Sequence, residues 1–404
     1  MTSDPYVVAF TDWLACAVGG AGENAAIAAR LVGGGGVLDR VVALAAAGHV
    51  LDFDDTYQPG LSHLSAATAP AALALGVELG ASIGAVLDAY AAGFEAMGTL
   101  ARICHPALYD GGWHPTAVCG SAGAAVVAAR LLGLQAERAR TAIALALLRA
   151  GGLRAAFGSD GKALQVAIAA ADGVQAARLA ASGAMVDAPA VAGGVAGFAE
   201  AFGVTTSGAT LGAMLDAADG DDAVAQNWIK AYPCCLQTHA VIDAALAAGA
   251  APGPAAQIAV RVHPLSRQAA ARNEVGDGLQ AKFSIPYLAA YALLHGAPDL
   301  DSFAAVDPDA ARLARRIAIH TDPRLGVTEA ILEVDALPVA HVMAPAGSPG
   351  NPLDERALAR KVHALAGDAL AGLLVDRDRP ASVLTAAWSS AVDAGTPINE
   401  AAPR

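Results

Sequence analysis

Lysine is scarce in this chain: of 25 basic residues only four are lysines, at Lys162, Lys230, Lys282 and Lys361, and the rest are arginines. Arginine carries a generic surface charge equally well, so a lysine kept against that background points to a need for its compact, pKa-shiftable ammonium. Three of the four lie in polar islands, Gly158-Ser159-Asp160-Gly161-Lys162, Asn227-Trp228-Ile229-Lys230-Ala231-Tyr232-Pro233 and Lys282-Phe283-Ser284-Ile285-Pro286-Tyr287. Lys361, beside Arg356 and Arg360, reads as an ordinary solvated charge.

Other absences narrow the classes. Hydrophobic residues make up 55% of the chain, but the excess is alanine and glycine, and no stretch reaches the roughly 18 strongly apolar residues of a spanning helix. No membrane association is expected. Met1-Thr2-Ser3-Asp4-Pro5 lacks the basic start of a signal peptide, so a cytoplasmic protein is expected. Charged residues are only 16%, the net charge is −13 and no basic face is visible, which argues against nucleic acid as a partner. The five cysteines are scattered and have no Cys-x-x-Cys spacing, so a disulfide framework, a zinc site and an iron–sulfur cluster are not expected. Aromatics are just 5%. With alanine so abundant, tightly packed helices and an oligomer that buries the apolar surface are the natural expectation.

What is present is helical from Tyr6 to about Ala250, in segments such as Ala66 to Gly80, Ile83 to Arg102, Ser121 to Leu132, Ala136 to Leu148 and Lys162 to Ser182. Their apolar character is too broad for one-faced surface helices, so most should be buried on several sides. The texture changes after Ala250-Ala251-Pro252-Gly253-Pro254. Gln257 to His263 alternates with period two, as do Arg316 to Thr321, Ala330 to Val334 and Val339 to Met343. Helices are expected over Ile285 to Leu294 and Pro308 to Arg315, the second capped by Asp307, giving an α+β module. From Asp354 the pattern is helical again.

Four constellations can carry chemistry. In His49-Val50-Leu51-Asp52-Phe53-Asp54-Asp55-Thr56-Tyr57, followed by Ser62-His63, three carboxylates crowd four positions and invite solvation, a cation or shifted pKa values. Continued helix would put Asp52 and Asp55 on one face, with His49 a turn earlier, while at least one of Asp54 and Asp55 serves a backbone cap. Gly111-Gly112-Trp113-His114-Pro115 opens a helix at a position that favours an anionic ligand, where His114 can move protons; the competing reading is a histidine bonded to a loop carbonyl. The Gly158 to Lys162 turn lacks phosphate-loop spacing and delivers one ammonium at the start of a helix, which with Lys230 gives two point charges for carboxylates. Cys235 and His239 are spaced for a thiol–histidine pair, but buried cysteines in alanine-rich helices are usually small fillers.

Taken in this order, together with Lys230-Ala231-Tyr232-Pro233 and Phe283-Ser284-Ile285-Pro286-Tyr287, these motifs resemble the MmgE/PrpD family, which includes 2-methylcitrate dehydratase, cis-aconitate decarboxylase and iminodisuccinate epimerase. The resemblance implies an all-helical domain over residues 1–250, completed by about 352–404, and an inserted α+β lid domain over 251–351. It also implies a homodimer, a cleft between the domains as active site, and catalysis with neither metal nor organic cofactor. By position, Asp52, Thr56, His63, His114, Lys162, Lys230 and Tyr287 match the family's site residues. Lys282 is a neighbour of Tyr287 with no assigned role. Departures exist: the run from Thr56 to His63 is one residue longer than in the decarboxylase branch, Cys235 stands where that branch has histidine, and Gln165 where many members have it.

The chemistry so implied is proton movement at a carbon beside a carboxylate. Lys162 and Lys230 would grip substrate carboxylates, His114 would transfer the proton, Asp52 would orient His63, and Tyr287 would close the site from the lid. The activity expected first is dehydration of a methylcitrate-like polycarboxylate, with epimerisation of a smaller dicarboxylate next and decarboxylation after that. Two readings from other classes compete. Asp52-Phe53-Asp54-Asp55-Thr56 also looks like the general acid of class II terpene cyclases, whose aromatic walls this composition does not supply, and the polar islands could be mere loops of a helical scaffold.

Overall fold

The computed structural model describes residues 4–205, 222–249, 251–253 and 255–395; Ala250 and Pro254 of the expected linker lie outside that set. Among the described residues, nine α-helices come first: α1 Pro5–Gly19, α2 Asn24–Val32, α3 Val37–Val50, α4 Leu64–Glu78, α5 Ile83–Cys104, α6 Ala107–Asp110, α7 Pro115–Leu131, α8 Ala136–Leu147 and α9 Gly161–Ala181. Several expected segments fall on these with small shifts at the ends. The helix that carries Ser121 to Leu131 begins at Pro115, the start expected after His114, because proline at the first helical position is preorganised for it.

The broad apolar character is explained by burial all round. Every residue of α4 from Leu64 to Gly76 is buried, and so is every residue of α7 from Pro115 to Ala129. Small side chains make this possible: a Cβ on Gly173 of α9 would collide with Ser121 O and sit 2.6 Å from Ala124 Cβ on α7. These close approaches bring α7 and α9, whose N-termini carry His114 and Lys162, side by side.

The second part is α+β. Strands β3 Ile258–Val262, β4 Ile317–Thr321, β5 Ala330–Val334 and β6 Leu337–Val342 form one sheet in the order β4-β3-β5-β6, with β3 parallel to β4 and the other pairs antiparallel. Asp335 and Ala336, both at positive φ (50° and 63°), make the two-residue turn that matches the twist of the β5–β6 hairpin. Helices His239–Ala248 and Ile285–His295 pack on this sheet, and Pro308–Ala314 packs on the second of them. Asp307 caps the last of them, accepting from Ala310 N–H at 2.7 Å.

Each part has its own apolar core. The helical core runs from Val7 to Val224 and resumes with Leu358, Val362, Leu365, Leu370, Leu374 and Leu384, so these late residues pack on the first helices. The core of the α+β part takes in Tyr232 and the 239–248 helix as well, and so starts ahead of the composition break. One element had no sequence signal: a two-residue ladder joining β1 Thr56–Tyr57 to β2 Asn227–Trp228. It fastens the segment before Lys230 to the segment after Asp52.

Candidate active site

Helix α3 stops at Val50, and Asp52 turns into the left-handed region at φ 53°. Asp tolerates that region because its short side chain bonds locally. The helical continuation expected across Asp52 and Asp55 is therefore corrected: the two point in different directions. Asp52 Oδ1 receives Lys162 Nζ at 2.5 Å and Lys230 Nζ at 3.1 Å, and Lys230 also donates to Asp52 O at 2.9 Å. Asp55 Oδ2 accepts from Ser65 Oγ and Asn227 Nδ2, each at 2.7 Å, and Oδ1 accepts from Ser65 N–H at the start of α4, which is the capping role expected of one carboxylate. Burial raises the Asp55 carboxyl to about 7 despite these donors. Burial also opposes ionisation of Asp52, but Lys162 and then Lys230 outweigh it and hold that carboxyl well below its usual range. In return Asp52 overcomes the burial of Lys230 and raises its pKa.

The other two lysines converge on the same loop. Lys282 donates to Leu51 O at 2.5 Å, and Lys361 donates to Phe53 O at 2.8 Å while pairing with Asp12 at 2.5 Å. Lys361 is thus not the solvated charge expected; it is buried, since it falls on the Leu358, Lys361, Val362, Leu365 stripe of its helix. Lys282, given no role from the sequence, is buried too, and desolvation pulls its pKa down to about 8. All four lysines therefore hold residues 51–53.

The histidines form the second layer. Asp54 Oδ2 lies 2.9 Å from His49 Nδ1 and 3.3 Å from His63 Nδ1. Because a carboxylate only accepts, both Nδ1 atoms carry the proton, and His63 Nε2 is the lone-pair nitrogen, 3.8 Å from Asp52 Oδ1. The residue that orients His63 is Asp54, not Asp52. Burial disfavours an ionised Asp54, yet His49 and His63 outweigh it and lower its pKa. Thr56 Oγ1 is 3.4 Å from His63 Nδ1, and His63 N–H donates to Thr116 Oγ1 at 3.1 Å, tying this loop to α7. Burial, with the lysine charges adding to it, pulls His63 down to about 3 and His114 well below its usual range, so both rings are neutral at pH 7.

These groups wall a cavity of about 50 Å³. Asp52, Thr56, His63, His114, Lys162 and Lys230 line it from the helical side, with Tyr109 and Phe157, while Cys235, Gln237, Ala269 and Phe283 close the other side. Phe157 and Phe283 stack at 5.6 Å, each with Lys162 Nζ within 6 Å. Larger hollows of about 460 and 530 Å³ lie along the returning C-terminal segment, and neither gathers imidazole with lysine as this one does.

The structure brings six of the seven expected residues together. Tyr287 is the exception: it belongs to the core of the α+β part and its hydroxyl accepts from Asp307 N–H at 2.9 Å, so it lines no part of the cavity. Cys235 does line the cavity, but burial pushes its thiol up to about 11, which leaves it protonated. The sequence reading missed Asp54 as a partner of His63 and Gln165 as a partner of His114. Gln165 sits one turn after Lys162 on α9, a spacing that could have flagged it. Among the described residues, His49, Asp54 and His63 could hold a metal ion, their ligand atoms lying within 4.8 Å of one another. That would require displacing the two N–H protons that Asp54 now accepts. No helix among the described residues is long and apolar enough to cross a membrane.

Residues 38–208 match the model of the MmgE/PrpD N-terminal domain, and residues 232–380 match that of the MmgE/PrpD C-terminal domain. The chain is 34% identical to cis-aconitate decarboxylase of Homo sapiens over 207 residues, which is 49% of this chain and 41% of that protein. It is also 34% identical to cis-aconitate decarboxylase of Mus musculus over 140 residues, 33% of this chain and 28% of that protein. The matched stretch thus covers less than half the length of either curated relative.

Proposed function

Because the chain belongs to the MmgE/PrpD family, we propose that it is a lyase of the hydro-lyase type that removes water from a tricarboxylic or dicarboxylic hydroxy acid, as a 2-methylcitrate dehydratase does. The observation that carries this reading is the pair of buried ammonium groups on one carboxylate oxygen, facing two neutral imidazoles across a small cavity. A substrate carboxylate can share Lys162 and Lys230 with Asp52. Positive charge then stands where an enediolate develops, in surroundings of low dielectric. The proton leaves the carbon beside the carboxylate, the electron pair moves into that carboxylate, and its return expels the β-hydroxyl, which leaves as water after gaining a proton. His63 and His114 flank the cavity as the proton-handling and anion-facing groups, with Thr56 beside them. The lysine charges add to burial in depressing His63, so a substrate that neutralises them raises its basicity when it is needed.

A cavity of about 50 Å³ holds one or two waters. We propose that Cys235 and Phe283 move away from Phe157 to admit a polycarboxylate. We further propose a cytoplasmic homodimer, supported by apolar residues exposed on the helical domain such as Leu31, Val32, Ile168 and Met185; sedimentation velocity gives its mass directly.

Incubation with 2-methylcitrate or citrate should produce the ultraviolet absorbance of a conjugated alkene. A second reading, decarboxylation, is favoured by the identity to the two cis-aconitate decarboxylases, since the same cations would stabilise the carbanion left by loss of carbon dioxide. Release of carbon dioxide from cis-aconitate, with no alkene formed from either citrate, would decide for it. No turnover of any of the three would sink both.

A further inference from the structure

Gln165 is held by the backbone of a neighbouring loop. Its Oε1 accepts from Leu153 N–H at 2.9 Å, and its Nε2 donates to Leu153 O at 3.2 Å. The second proton of that amide points at His114 Nδ1, 2.7 Å away. The orientation of the amide is not a free choice. Turning it over would set N–H against N–H and carbonyl against carbonyl at Leu153, losing both bonds at once. Leu153 is itself fixed: it bridges to Trp113, and its neighbours pair through His114 N–H to Gly152 O and Arg154 N–H to Gly112 O, each at 3.0 Å. Gly152, at φ 120°, is required here because a Cβ would lie 3.2 Å from Gln165 Oε1 and 2.6 Å from Ala117 Cβ.

An amide N–H can only donate, so His114 Nδ1 must accept and the ring proton sits on Nε2. With Nδ1 taken, Nε2 is the nitrogen left for a ligand in the cavity that His114 lines. Protonating Nδ1 would place two donors face to face. The charged and titratable groups that act most strongly on the ring are Lys162 on α9, His49 on α3, and His63 and Asp52 on the loop between α3 and α4, and Lys230 lines the same cavity. Of these only Asp52 favours an imidazolium, and two lysines already occupy it. His63 has the opposite arrangement, with Nδ1 on Asp54 and Nε2 free of a proton.

We propose that Gln165 is a positioning residue that locks His114 as the neutral Nε2–H tautomer, a hydrogen-bond donor to the anion formed in the reaction, and so leaves proton abstraction to His63. The C–H bond breaks, its proton goes to His63 Nε2, and the electron pair enters the substrate carboxylate. The resulting enediolate oxygen accepts from His114 Nε2–H, and no proton leaves His114. The kinetic part rests on the polycarboxylate reading of the site; the tautomer does not.

Long-range nitrogen–proton correlation spectra of protein labelled with nitrogen-15 histidine, with His114 identified by its loss in His114→Gln, read the tautomer without substrate. The expected ring has bare Nδ1 and protonated Nε2 from about pH 8 to about pH 5, a range in which an unperturbed histidine would titrate. Gln165→Glu, whose carboxylate only accepts, should move the proton to Nδ1 and lower kcat by roughly 10- to 100-fold while KM stays within about twofold. A wild-type ring protonated on Nδ1, or on both nitrogens at neutral pH, overturns the proposal. So does a Gln165→Glu protein that shifts the proton yet keeps the wild-type kcat. Should no polycarboxylate be turned over, the spectrum still decides the tautomer, so a failure of the function and a failure of this inference are distinguishable.

Discussion

Lys361 donates to the carbonyl oxygen of Phe53 at 2.8 Å, across 308 positions of sequence, and so braces the loop on the side away from the cavity. The same ammonium pairs with Asp12, which is wholly buried and whose pKa burial raises in spite of that cation. Lys361→Met should therefore leave a buried carboxylate without its counter-ion and cost about 3–5 kcal/mol, as breaking one side of a buried pair does. Chemical denaturation measures it. Combining Lys361→Met with Asp12→Asn should recover most of the loss, and a double variant as unstable as the single one would show that the bond to Phe53, not the ion pair, sets the cost.

Asp52→Asn keeps a side chain that accepts the left-handed backbone, and removes only the charge that holds Lys162 and Lys230 together. Loss of stability by a few kcal/mol is expected, with kcat/KM down at least tenfold. Asp52→Ala should be less stable again by about 1 kcal/mol, the further cost of that backbone region for a residue with a plain Cβ. Thermal melts of the two variants side by side check this, and equal stability would refute the backbone part.

Replacing one lysine is a different experiment, because the carboxylate keeps its other partner. Lys162→Met or Lys230→Met should each raise KM for a polycarboxylate and reduce kcat/KM by roughly 100-fold, with less effect on stability than Asp52→Asn. The double variant should lose less than the sum, since both act through Asp52. Strictly additive losses would mean that the two ammonium groups bind separate carboxylates independently.

Acid should unfold the protein through its histidines. Burial depresses His63 and His239 to about 3 and lowers His49 and His114 as well, whereas the unfolded chain titrates near 6.5. The unfolded state then binds the extra protons, so this stability is complete above about pH 6.5 and is lost as pH falls toward 3. Asp55 works the other way, binding a proton in the folded state up to about pH 7 and so cancelling one of these between roughly pH 4 and that value. Urea midpoints across this range should fall with decreasing pH, and His239→Leu, outside the cavity, should reduce proton uptake on unfolding by about one. A midpoint independent of pH would contradict the neutral histidine cluster.

Much of the helical and strand structure was legible because it follows local periodicity. Residues four apart share a helix face and residues two apart a strand face, whatever lies elsewhere in the chain. Hence α5, α8 and α9, and strands β3 and β5, fall close to where apolar spacing put them. The Lys361 stripe shows the same rule overlooked: read with period 3.6, Leu358, Lys361, Val362 and Leu365 mark the lysine as buried. Tyr287 failed for the opposite reason, since its helix was found but the direction of its hydroxyl depends on Asp307, a residue of another element.

By itself, the sequence determined which side chains this protein has to work with: a sparse set of lysines, a crowded acidic loop, two histidines at turns, and helices that supply scaffolding between them. Only the tertiary structure decided what each one does. Lys162, Lys230, Lys282 and Lys361 reach residues 51–53 across 110, 178, 231 and 308 positions. Which histidine faces an acid and which an amide is likewise set by Asp54 and Gln165. Such choices rest on contacts between distant segments, whose energies depend on geometry that local propensity does not encode, because the same residues in another packing would meet other partners.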